Sequence, residues 1–110
     1  MSTSLIDRIE RKLKDARGMD QAAKKELSGL LTDLRAEVAS MENDKSDEAE
    51  SIAAFAGAAT HEAMREETNP RSLQLAVDGL SSSVEELESE HPRLVEITNS
   101  ICTMLSNLGI

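Results

Sequence analysis

Aromatic side chains are nearly absent from this chain of 110 residues, which holds one Phe and no Trp or Tyr. Thirteen Ala stand in their place, so the core must be built from thin, closely spaced layers. The single Cys cannot form an internal disulfide, and an oxidising compartment is not implied. Long apolar runs are missing too. The longest, Ile52 to Ala59, is far short of the roughly 20 residues that span a bilayer. The first residues, Met1 to Asp7, lack the apolar stretch of a signal peptide, so a cytoplasmic protein is expected. Leu, Ile, Val and Phe together number 24. That is just above the roughly one fifth of a chain below which disorder takes over. A core is possible, with little to spare.

Charge is plentiful and uneven. The net charge is −9. Residues 1–41 hold eight basic and seven acidic side chains, residues 42–69 two and eight, and residues 70–110 two and six. A basic beginning is thus joined to an acidic remainder. Such a molecule repels nucleic-acid phosphates and anionic lipid, so neither is expected as a partner. A surface-lying membrane helix would also want Trp or several Phe, and the chain offers only Phe55.

The apolar residues recur at helical spacing throughout, and no segment alternates long enough for a strand. The fold expected is an all-α antiparallel bundle of four or five amphipathic helices, at about 4–17, 20–41, 47–67, 70–90 and 92–108. As one domain, 1–110, it divides into an N-terminal hairpin (1–41), an Ala-rich acidic helix (42–69) and a heptad-patterned C-terminal part (70–110).

Ser4 and Asp7 have capping-box spacing, Leu5, Ile6, Ile9 and Leu13 share a face, and Gly18 follows as a stop. Asp7–Arg11 and Glu10–Lys14 are i,i+4 charge pairs. Asp20 is the expected cap of the second helix, with its stripe at Ala23, Leu27, Leu30, Leu31, Leu34, Val38 and Met41. Asn43 to Ser46 has the composition of a hinge. Beyond it, Ala49, Ile52, Ala53, Ala56, Ala59 and Ala63 would form an inner face of small residues, with Phe55 and Met64 beside it. Such a face lets two backbones approach closer than the usual 8–10 Å or so. The alternative is an Ala-rich helix lying on the surface.

Asn69-Pro70 is a cap followed by proline at the first helical position. A regular seam then runs through Leu73, Val77, Leu80, Val84, Leu87, Leu94, Ile101, Leu105 and Leu108, with Gly109 as its stop. The seam allows one helix kinked at Pro92. The preference of a residue before proline for extended backbone instead favours a break and fold-back at His91. Gly29, Gly57 and Gly79 lie inside predicted helices, at about 1 kcal/mol each relative to Ala. Ser83 with Glu86 could start a fresh helix after Gly79.

Reactive chemistry has few candidates. His61-Glu62-Ala63-Met64-Arg65 is one residue from a zinc-protease motif, but Arg65 stands where the second His would bind metal. Glu88 and His91 have the spacing of a di-iron bundle, which needs two such pairs and two further carboxylates. A helix-end role fits His91 better. Cys102 has no neighbouring base in sequence and reads as a structural thiol. No catalytic residue, cofactor or metal site is expected.

The tail, Glu88-Ser89-Glu90-His91-Pro92-Arg93-Leu94 through Leu105-Ser106-Asn107-Leu108-Gly109-Ile110, resembles the closing signature of DUF4404, a small bacterial helical family of unknown function. Residues 5–41 also look like that family's N-terminal half, whereas residues 42–69 look like an addition. The resemblance implies a bacterial-type cytosolic helical protein and brings no activity.

The leading expectation is a non-enzymatic interaction module that self-associates through the C-terminal seam, or binds an unknown protein. A plain monomeric bundle is the bland alternative. Glu42, Asp44, Asp47, Glu48 and Glu50, with Glu85, Glu86, Glu88 and Glu90, motivate a second class, an acidic decoy for a basic partner. A metal-carrying or enzymatic bundle is the third.

Overall fold

The computed structural model describes residues 2–108, and these form five α-helices: α1 (Ser2–Asp15), α2 (Gln21–Met41), α3 (Ser46–Met64), α4 (Pro70–Val84) and α5 (Pro92–Leu108). A 3₁₀ turn, Glu85–Leu87, extends α4. No strand occurs among the described residues. The main helix contacts close a ring in the order α1, α2, α5, α4, α3 and back to α1, while α3 also touches α2 and α5. Three of the four connections join ring neighbours. The link between α2 and α3 crosses instead, and α3 settles between α1 and α4.

The expected stripes are the core. Ile6, Leu13, Leu27, Leu31, Leu34 and Val38 are fully or almost fully buried, and Leu5, Ala23 and Leu30 pack partly against them. On α3, Ala49, Ile52, Ala53, Ala56 and Ala59 are all fully buried. The surface-lying alternative for the Ala-rich helix is therefore excluded, because small side chains are what allow α3 to sit between two neighbours.

Several helix ends differ from the sequence reading, each for a local reason. α1 begins at Ser2, not after a Ser4 cap, since the Ser2 N–H donates to Glu42 Oε1 at 2.9 Å. It stops at Asp15, before Gly18. Gly18 is not a positive-φ stop. It lies where a Cβ would come within 3.2 Å of the Met64 carbonyl oxygen, so its small size permits close approach to the end of α3. Asp7 spends its carboxylate on Arg35 of α2, at 2.7 Å, and not on Arg11. α3 ends at Met64, short of 67, because Arg65 turns extended.

Other ends follow expectation. Asp20 Oδ1 accepts from the Ala23 N–H at 2.7 Å, and Asn69 Oδ1 accepts from the N–H groups of Arg71 and Ser72. The chain breaks and folds back before Pro92, with the His91 N–H donating to the Leu87 carbonyl at 2.7 Å and α5 returning against α4 and α2. No new helix starts at Ser83, whose hydroxyl donates backward to the Leu80 carbonyl. The expected stop at Gly109 lies outside the described residues.

Candidate functional site

The C-terminal seam is spent inside the chain. Leu73, Val77, Leu80, Val84, Leu87, Leu94, Ile101 and Leu105 are buried, and Leu108 is half-buried. Thr98, fully buried, shares that face with Ile97. The aliphatic surface that a second copy would need at this seam is already covered by α2, α3 and the two seam helices themselves.

Up-and-down helix directions sort the charges. The start of α1 meets the end of α2 through Ser2 and Glu42. The α2–α3 link meets the α4–α5 corner through Lys45 and Glu90 at 3.5 Å. Residues 42–51 and 85–93 therefore share one end, and they carry nine carboxylates against two cations. Three helix N-termini, those of α1, α3 and α5, point there, so acids complement the net positive backbone dipoles. Residues 10–27 and 61–71 belong to the opposite end, where Gly18 touches α3's last turn. Those segments hold seven acids and eight cations.

Between α1 and α3 an open groove of about 290 Å³ remains. Its floor is Leu5 and Ile9 from α1 with Ala53 and Gly57 from α3. Arg8 and Lys12 rim it on one side, His61 and Glu62 on the other. The sequence creates the groove in a simple way. The outward stripe of α3 carries only Ala54, Gly57 and Ala58 between its charged ends, so nothing on α3 reaches across to fill the space beside α1. Glu62 is already bound by Arg65, whose Nη1 donates at 2.9 Å, which leaves the rim cationic. Gly57 has no atom within 4 Å of where its Cβ would stand.

The reactive candidates do not converge. His61 lies near the end of α3 and His91 at the α4–α5 corner, at opposite ends of the bundle. Among the described residues no group of three or more His, Cys, Asp or Glu could hold a metal ion. Cys102 Sγ is half-buried, 3.8 Å from the Val77 carbonyl oxygen. Burial first, and the Asp78 carboxylate second, push its thiol above the usual range, which keeps it protonated. A larger trough of about 770 Å³ between the start of α2 and the end of α5 mixes apolar lining from Ala22, Ala23, Met104 and Leu108 with Asp20, Glu26, Glu96 and Asn99. No helix of the described residues is long and apolar enough to cross a membrane.

The groove escaped the sequence reading because it is a gap between two helices that sequence alone does not pair. The available signal was an α3 stripe without aliphatics, Ala54-Gly57-His61, opposite a Leu5-Arg8-Ile9-Lys12 stripe. Comparison with curated proteins and with solved structures finds no match. Residues 27–110 match the domain of unknown function DUF4404, and that match runs through the Ala-rich helix that the tail resemblance had set apart. With most of its length covered, including α3, α4 and α5, the chain belongs to the DUF4404 family.

Proposed function

We infer that this protein is a non-enzymatic helical interaction module, working in a cytoplasmic setting, whose first partner is another copy of itself. The observation that carries the reading is the groove between α1 and α3, with an apolar floor and the cations Arg8 and Lys12 on its rim, on a molecule of net charge −9. A cationic groove on an acidic protein is a place where copies of that protein attract one another despite their overall repulsion. With the C-terminal seam buried, this groove replaces it as the self-association surface. Sedimentation equilibrium at low and high salt tests the idea. Concentration-dependent association that weakens with salt supports it, and a monomer at every concentration ends it.

The acidic end supports a second reading, that of a decoy for a basic protein. Its two cations, Lys45 and Arg93, are engaged with Glu90 and Glu37, each at 3.5 Å, and Glu42 accepts from the Ser2 N–H, while Asp44, Asp47, Glu48, Glu50, Glu85, Glu86 and Glu88 are exposed to solvent. Salt-sensitive retention of DNA-binding proteins in a pulldown favours that reading. Retention of only neutral or acidic proteins removes it.

A further inference from the structure

We propose that the groove between α1 and α3 is a two-fold interface, in which α3 of one copy lies antiparallel on α3 of a second. The proposal rests on the self-association reading and adds the register and the symmetry of the contact. Its physical basis is a stripe that complements itself when reversed.

Glu50, Ala54, Gly57 and His61 follow one another along the outer face of α3 at spacings of four, three and four. That spacing reads the same in both directions. An antiparallel copy in matching register sets Ala54 on the partner's Gly57 and Gly57 on the partner's Ala54. The same register brings each Glu50 onto the other copy's His61. α1 and α3 run in the same direction, so Lys12 shares the His61 end of the groove and meets the incoming Glu50 as well. Glu50 is exposed. Acid and base therefore sit at opposite ends of one stripe of about 16 Å, from eleven residue-to-residue steps at 1.5 Å each.

Packing points the same way. Gly57 lowers helix propensity and answers no contact within its own chain, since a Cβ there would meet nothing within 4 Å. A second backbone crossing at Gly57 gives that glycine a use, because only a small residue admits so close an approach. A two-fold contact of this kind is isologous and closes at two copies, whereas a contact between the acidic end and a groove would be head-to-tail and would build rings or open chains.

Charge reversal tests the register. E50K puts Lys against the partner's Lys12, and K12E puts Glu against the partner's Glu50, so each single variant should dissociate at least about tenfold more readily at low salt. The double variant E50K/K12E restores opposite charges across the interface. Within one chain these two residues sit at opposite ends of the stripe, so they cannot compensate each other there. The double variant should therefore regain the wild-type constant, with helix content by circular dichroism unchanged in all three. Mass should level off at twice 11.9 kDa. Wild-type association that survives both single reversals, or that grows past two copies, overturns this interface and leaves self-association standing. Wild type at 11.9 kDa throughout overturns both.

Discussion

The sharpest stability prediction concerns Gly79 and the lone aromatic ring. A Cβ at Gly79 would stand 2.5 Å from Phe55 Cε1 and 2.6 Å from Cδ1, so G79A cannot coexist with the present ring position. The neighbouring atoms belong to a side chain and not to backbone, and Phe55 is already 39% exposed, so the ring can swing outward. Two effects then oppose each other. The helix interior gains about 1 kcal/mol when Gly becomes Ala. Losing the packed part of the ring costs about 1–2 kcal/mol, since full burial of a Phe is worth about 1.5–3. G79A alone should therefore lie between neutral and about 1 kcal/mol destabilising. After F55A the obstacle is gone, and G79A should stabilise by about 1 kcal/mol. Urea unfolding of the four proteins in this cycle measures the coupling, which should be about 1–2 kcal/mol. G29A is the control, because a Cβ at Gly29 meets nothing within 4 Å. If G79A stabilises the wild type as much as G29A does, the ring does not hold that glycine in place.

Three further outcomes follow from particular groups. The Thr60 and Thr98 hydroxyls are buried without a hydrogen-bond partner, so T60V and T98V should each raise stability by about 1 kcal/mol or more, and a loss of that size in chemical denaturation would reveal a hidden partner. N69A removes the acceptor for two N–H groups at the start of α4 and should lower stability by about 1 kcal/mol, read from the urea midpoint; no change would mean that Pro70 alone sets the helix start. Cys102 should react with iodoacetamide at pH 8 more slowly in the folded protein than after unfolding, because its raised pKa lowers the thiolate fraction; equal rates contradict that.

How much was legible in the sequence depended on how local the cause was. Helix stripes are written within single segments, so the buried faces of α1 and α2 and the caps at Asp20 and Asn69 could be read directly, whereas the Ala-rich face of α3 fitted burial and a surface position alike. The break at Pro92 was legible too, through the backbone restriction proline imposes on His91. What depends on a distant partner was not legible. Glu42 fixes the start of α1 from 40 residues away, and Met64 and Arg65 impose the small residue at 18. The seam shows the limit most plainly. Its regularity is real, but sequence alone could not say whether α2 or a second copy would cover it. The groove was hidden for the complementary reason, since it arises from side chains that are too short to reach a neighbour.

Small-angle scattering over a dilution series at low salt tests the central claim of self-association most directly. The single chain has a Cα radius of gyration of 12.8 Å. The account predicts forward scattering that rises to twice the single-chain mass as concentration increases, with a radius clearly above the single-chain value, and a return to one chain in high salt. A mass of one chain and an unchanging radius at every concentration would contradict it.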